Sequence, residues 1–440
     1  MPRPKLGEPA RFWSGWFDLV PAYRLAALRV ILAVITLVFH VPKFNRIIAD
    51  YAASSFHVPP AFPWIPILPP AGGAALMIVQ DAAAWGLLLG WAPRLCAWLL
   101  VIVGFYVMSL DPEFFAHNAH FHLTLLALIG CSADRVSLRR LLADDDAGAR
   151  CPAWPERLIG IQLAIVFFYA AVDKILSPYW GVSGSSLAAQ RLSTRGPAFD
   201  RLQRMSEAAL PTLARPLSVA TIVLEAFVAV AVLTRALRPI GLAVTALFVL
   251  YLEFMLKPGV FAWDVLAALL VFAPAGDRAW RVAYDPACRS CRGNRALLSP
   301  LDWLRRLRWT PTEDATSSTM RGELELVSPR GRMRSGFEAL RVLPIALPGP
   351  FLLALIVAKF GGGFLAARGY GPWDDLPFLM LLGWLALWIP GLAPVLGQPV
   401  YTAISRAWDN WPTPARPGGG ADGSARCSHT RGIRVGDASA

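Results

Sequence analysis

The sequence predicts a mainly α protein: a polytopic transmembrane helix bundle of about eight spans, followed by a small α/β domain. Three observations carry this. The chain is 55% hydrophobic and only 16% charged, with a mean hydropathy of +0.47, whereas soluble domains are about 25% charged. Long apolar runs recur as far as Ala273. Beyond Pro274 they give way to short alternating segments and a closely paired cysteine motif. Seventeen Trp and 37 Pro suit interfacial belts and broken helices. A net charge of +12 in such a chain marks loops that set orientation and face anionic lipid. With no aromatic-plus-basic RNA motif beside it, this charge makes the lipid bilayer the expected partner and nucleic acid an excluded one.

Taken in order, residues 1–20 place Phe12, Trp13, Trp16 and Phe17 among polar residues, an interfacial amphipathic lead-in. No signal-peptide cleavage pattern precedes them. Leu25–Phe39 is the first span; its Arg24 and Arg29 either snorkel or face the bundle interior. Residues 42–70 read as a loop rich in Pro and aromatics. Gly72–Gly90, interrupted by Gln80 and Asp81, and Leu95–Leu110 are the next spans. Ala119–Cys131 is apolar but only about two-thirds of a full span at the helical rise. A charged loop from Ser132 to Arg157 holds five arginines and Asp144-Asp145-Asp146. Leu158–Leu176 is the fifth span, and a polar loop covers 177–211. Leu213–Thr234, Ile240–Leu256 and Val260–Ala273 complete the set, with Glu225 and Glu253 inside two of them.

The distribution of Lys and Arg predicts a cytoplasmic N-terminus. Arg94, the arginines of 132–157, Arg235 and Arg238 then fall inside, and the loop after the third span carries no basic residue. Arg191, Arg195, Arg201 and Arg204 run against this pattern. With eight spans, everything after Arg278 is cytoplasmic. The ends of spans three and five share the outer face, bringing the His117–His122 region and Lys174 to one side. The expected location is the inner membrane of a bacterial cell.

In the C-terminal part, Trp280–Tyr284 reads as a strand, and Cys288-Arg289-Ser290-Cys291 opens a helical run to Leu307. Leu307–Thr310 is a strand, Glu323–Val327 and Gly331–Ser335 form a hairpin, and Phe337–Leu347 is a helix. This β-α-β, then β-β-α order suggests a small thioredoxin-like domain. Phe351–Phe360 and Phe378–Trp388 are short for spans and broken by Pro and Gly; they read as helices on the domain or the bilayer surface, with a final re-entrant pair as the alternative. From Pro412 to Ala440 the Gly, Pro, Ser and Arg content predicts a disordered tail.

Four residues carry the candidate chemistry: Lys174, His120, Cys288 and Cys291. Asp173-Lys174 closes the fifth span, ahead of Pro178, Tyr179 and Trp180. An ionisable pair at the edge of a membrane helix marks a functional site, or else a lysine whose stem lies in lipid while its ammonium reaches water. Half of the six histidines lie in His117-Asn118-Ala119-His120-Phe121-His122. Helical spacing puts His117 and His120 on one face and turns His122 away. Two ligands on a face do not make a metal site, so no metal is expected there, and a polar helix cap is the plain alternative. A His, a Lys and an intramembrane acid, Glu225 or Glu253, meeting in one cavity could move protons on a lipid-soluble substrate. Alternatively, those acids pair with Arg24, Arg29 or Lys257 and hold helices together. For Cys288 and Cys291, a helix N-terminus stabilises the first thiolate and the spacing lets the second thiol resolve a mixed disulfide. Half a zinc site is the other reading, with Cys427 and His429 as the further local ligands.

These residues carry two resemblances. Residues 11–275 resemble the HTTM domain, the bundle shared by vitamin K-dependent gamma-carboxylase and many bacterial membrane proteins. The resemblance rests on Asn118-Ala119-His120, on Tyr169-Ala170-Ala171-Val172-Asp173-Lys174, and on Tyr179-Trp180-Gly181 followed by Gly184. It implies a quinone-type lipid as the bound molecule and carboxylase- or epoxidase-like chemistry. Lys174 falls on the family's proton-abstracting lysine and His120 on the histidine of its Asn-Asn-His-Ser stretch. Asp173 stands where the carboxylase has a second lysine, and Glu253 where a histidine is common. Residues 280–410 resemble the DCC family of thiol-disulfide oxidoreductases, through Tyr284-Asp285-Pro286-Ala287-Cys288-Arg289-Ser290-Cys291, Gly331, Ser335-Gly336, Ala339-Leu340, Pro394 and Tyr401 with Ile404-Ser405-Arg406. Pro286 replaces a family glycine. That resemblance implies a cytoplasmic thiol reductant as partner. The alternative for the whole chain is a non-catalytic export or interaction protein whose redox chemistry is confined to the CxxC.

Overall fold

A computed structural model describes residues 15–53, 64–110, 117–132, 136–143, 149–177, 180, 200–255, 260–273, 275, 280–284, 289–311, 325–367, 377, 380, 381 and 384. They divide into two compact units. The first holds the bundle together with residues 351–367; the second holds a small mixed sheet.

The bundle begins with strand β1 (Leu19–Pro21), helix α1 (Tyr23–Ile35) and helix α2 (Val41–Ala53). A π-helical turn, Thr36–His40, joins the two helices into one run of 29 residues, Tyr23–Tyr51. Residues 42–53, read from sequence as loop, are therefore helix. The reason lies at Pro42. A proline has no N–H and its ring crowds the carbonyl four residues earlier. Here the Val41 N–H reaches the Thr36 carbonyl, five residues back, and the widened turn lets the helix continue. Phe44, Ile47 and Ile48 then form an apolar stripe at helical spacing, packed on Val103, Val107 and Leu110.

Helices α3 (Pro70–Leu89), α4 (Pro93–Leu110), α5 (His117–Cys131), α6 (Leu138–Leu142) and α7 (Trp154–Leu176) follow. Next come α8 (Asp200–Leu233), α9 (Arg238–Met255) and α10 (Val260–Ala268), the last extended by a 3-10 turn, Leu269–Phe272. Nearly every residue of α1 is buried. It is the central helix, packed on α3, α5 and α10. Strand β2 (Arg150–Pro152), inside the charged loop, pairs antiparallel with β1 and ties that loop to the start of the chain. Gly90 ends α3 with φ +75°; a Cβ there would lie 2.7 Å from an Arg29 nitrogen and 2.8 Å from the Ser137 backbone. Only glycine fits that close approach.

Among the described residues, five helices are long and apolar enough to cross a membrane: Tyr23–Tyr51, Pro70–Leu89, Pro93–Leu110, Trp154–Leu176 and Pro216–Leu233. Ala119–Cys131, Val260–Phe272 and Pro348–Gly362 are shorter apolar helices.

In the second unit the sheet order is β4-β3-β5-β6. Strands β3 (Trp280–Tyr284) and β4 (Leu307–Pro311) are parallel and are linked through helix α11 (Arg289–Leu298). Strand β5 (Glu325–Val327) runs antiparallel to β3 and to β6 (Met333–Ser335), and helix α12 (Gly336–Ala346) follows. The expected strands are present in the expected order, but the helix opened by the CxxC segment ends at Leu298 rather than Leu307, because Pro300 bars the residue before it from continuing the helix. Trp280, Val282, Leu298, Leu307, Leu326, Ala339 and Val342 form the core. Asp302 closes the turn before β4, its carboxylate accepting the N–H groups of Arg306 and Leu307 at 2.8 Å each.

The last described helix, α13 (Pro348–Ala367), is one element of 20 residues. Expected as a short surface helix, it groups from Phe351 onward with the bundle. Phe360 meets Phe39 with ring centroids 5.9 Å apart, and Leu355 and Ile356 are buried. The tail from Pro412 lies outside the described residues.

Candidate functional site

Among the described residues, three cation–carboxylate pairs join helices inside the bundle. Arg24 on α1 meets Glu156 on α7 at 2.9 Å and also donates to the Ala273 carbonyl. Lys174 on α7 meets Glu225 on α8 at 2.9 Å. Lys359 on α13 meets Glu253 on α9 at 3.0 Å. Arg29 is fully buried and donates to the Leu87 and Val136 carbonyls, so both arginines of the first span face the interior. A carboxylate surrounded by apolar side chains persists only with a cation or donors against it. The tertiary structure supplies one to each.

Lys174 sits in the last turn of α7, its Nζ also within 3.3 Å of the Ala170 carbonyl. The ammonium lies 5.2 Å from the centre of the Trp180 ring, which caps it as a cation–π partner. Asp173, next in sequence, is exposed and takes no part in the pair. The site expected from the sequence thus gains Glu225 as the partner of Lys174, while Glu253 belongs to a separate pair. His120 is half-buried on α5, a helix packed against α7. The side chain of His117 lies outside the described residues.

The histidine that the sequence reading turned away is the one the fold buries. His122 Nδ1 lies 2.7 Å from Asp264 Oδ1 on α10, and its Nε2 lies 3.0 Å from Thr36 Oγ1. The His40 ring stacks beside it, centroids 4.2 Å apart. His40, His122 and Asp264 each offer a ligand atom within 4.8 Å of the others, and all three are buried. Neither His40 nor Asp264 was among the sequence candidates. The available signal was an ionisable residue inside an apolar run: Asp264 is the one charged residue in 260–272, and His40 ends the first apolar stretch.

In the second unit, Cys288 and the side chain of Cys291 lie outside the described residues, although Cys291 falls in the first turn of α11. Tyr284, just ahead of the motif, packs edge-on against Trp309 and stacks under Arg295.

No curated protein and no solved structure matches the chain. The HTTM domain model matches residues 17–276, the stretch that contains the bundle from β1 through α10 with all the membrane-helix pairs except the Lys359 side of one. That match covers well over half of the 440 residues, and the chain belongs to the HTTM domain family.

Proposed function

We propose that the bundle is a gamma-carboxylase-like site that takes a quinone or similar lipid-soluble substrate, with Lys174 as the base. The observation that carries this reading is the Lys174–Glu225 pair, held at 2.9 Å between α7 and α8. In the proposed step the Lys174 ammonium first passes a proton to Glu225 along their hydrogen bond, and the neutral Nζ then accepts the proton of a hydroquinone hydroxyl, leaving the phenolate. His120 assists from α5. The second unit is a thioredoxin-like, DCC-type module that carries Cys288 and Cys291 as a dithiol/disulfide couple served by a cytoplasmic thiol reductant. Supporting this are its β4-β3-β5-β6 order and the placement of the second cysteine in the first turn of α11. The reading extends to eight spans in a bacterial inner membrane, and the Lys and Arg distribution supports putting the N-terminus and this module on the cytoplasmic side.

A second reading rests on the same geometry. Three buried pairs each clamp two helices, which is what a non-catalytic export or interaction protein would need. The full-length protein, purified in detergent, separates the two readings by oxygen-dependent oxidation of a reduced quinone. The catalytic reading expects turnover in the parent and a drop of about 10²-fold or more in Lys174→Ala. Equal turnover in both, or none in either, decides for the second reading.

A further inference from the structure

We propose that His40, His122 and Asp264 bind one divalent first-row transition-metal ion inside the bundle. This inference is independent of the role given to Lys174. Three buried ligand-type side chains converge here, and three of their six side-chain nitrogen and oxygen atoms have no hydrogen-bond partner. His122 Nε2 lies 3.0 Å from Thr36 Oγ1, whose hydroxyl also lies 2.8 Å from the Leu32 carbonyl. His122 Nδ1 lies 2.7 Å from Asp264 Oδ1, a hydrogen-bond distance.

A proton between His122 and Asp264 would resolve that one contact. It would leave His40 Nδ1, His40 Nε2 and Asp264 Oδ2 without a hydrogen-bond partner, although all are buried. Buried polar groups are nearly always satisfied. A metal ion satisfies one nitrogen of each imidazole and the carboxylate together. The ligand atoms already lie within 4.8 Å of one another; across a tetrahedral ion with bonds of about 2.1 Å they lie about 3.4 Å apart, so small side-chain rotations open the 2.7 Å His122–Asp264 contact and close the wider ones.

The donor set selects the ion. Two imidazoles and one carboxylate suit zinc, iron, cobalt or manganese, whereas calcium and magnesium take oxygen ligands. Three protein ligands leave at least one position open, as in sites that bind a reacting molecule. The ligands come from three elements: the π-helical turn of the first helix, α5 and α10. A π-turn at this point, a feature enriched at functional sites, places the His40 ring beside His122. Lys43, the nearest basic residue along the helix, is exposed and leaves the cluster with a net negative charge to offer.

The test uses the full chain in detergent with Cys288→Ser and Cys291→Ser, so that the CxxC contributes no metal. After reconstitution with Zn²⁺, Co²⁺ or Fe²⁺ in turn and desalting, metal analysis should find about one ion per chain for at least one of them. His40→Ala and Asp264→Asn should each weaken that binding about tenfold or more, and Cys131→Ser should leave it unchanged. Because a ligand-deleted variant can fail to fold, His40→Cys gives a positive readout: a thiolate-to-metal charge-transfer band in the Co²⁺ form that the parent lacks. Retention of less than a tenth of an ion per chain for every metal, equal retention in the ligand variants, or a Co²⁺ spectrum unmoved by His40→Cys would each overturn the proposal.

Discussion

Lys174 on α7 and Glu225 on α8 are joined across 2.9 Å, with side chains only 16% and 5% exposed. Each is the other's counter-charge, and removing one leaves the other buried and unpaired. Lys174→Ala and Glu225→Ala should each cost about 3 kcal/mol in reversible unfolding in micelles. The double variant should cost less than the two combined, by about 1 kcal/mol or more. Strict additivity would show that the two side chains do not act as a pair.

Arg29 is a different kind of buried cation. It faces carbonyls, Leu87 and Val136, on two separate segments. A guanidinium fork can serve both at once, whereas an ammonium offers donors from a single point. Arg29→Lys should therefore destabilise the bundle by about 1–3 kcal/mol even though the charge is kept. A variant with the parent's unfolding midpoint would show that the fork geometry is unimportant.

Gly241 sets the approach of α9 to α8. A Cβ there would lie 2.6 Å from the Ala231 Cβ and 3.2 Å from its backbone, neither of which can rotate away. Gly241→Ala should cost about 1–3 kcal/mol, with Gly241→Val worse. Small residues at such crossings let membrane helices pack without a hydrophobic driving force between them. An equal melting temperature for Gly241→Ala would mean that the helices separate freely.

Asp302 in the second unit should give a pH signature. Burial pushes its carboxyl up from the usual range, against the Arg306 and Leu307 N–H donors and the Arg305 and Arg306 guanidinium groups. The folded unit then holds its proton to a higher pH than the unfolded chain does. Its contribution to stability is largest below the unfolded carboxyl's range and falls as pH rises through the folded one. Amide exchange of residues 302–311 in the full chain, read as pH rises upward from the unfolded carboxyl's range, should show this slope, and Asp302→Asn should flatten it. A slope retained in Asp302→Asn would assign it to another group.

The CxxC should titrate as one two-electron couple, oxidised to an intramolecular disulfide and reduced by a small dithiol. Alkylation of Cys288 and Cys291 after stepwise reduction reads this directly. Stoichiometric zinc on the reduced pair would support the metal reading of the motif instead.

Much of the architecture was legible from local pattern. Apolar runs marked α3, α4, α7 and the apolar part of α8, because a bilayer demands length and a lack of charge over a contiguous stretch. Alternation and turn residues marked β3 to β6, because strand period is a local property. Lys174 stood out because an ionisable residue at the end of an apolar helix is rare. What local pattern missed depends on contacts distant in sequence. Helix α2 continues past Pro42 only because a π-turn precedes it. Helix α13 joins the bundle, where Lys359 answers Glu253, 106 positions earlier in the chain. That His122, off the His117–His120 face, is the buried one was not legible, since a helix with apolar residues all round has no readable inner side. Which acid pairs with Lys174, and that His40, His122 and Asp264 converge, are separations of 51 to 224 positions. The sequence by itself determined the membrane bundle, the order of elements in the small sheet and one candidate base. Only the tertiary structure decided which charges meet, because the partner of a buried charge is set by how helices pack, not by neighbours along the chain.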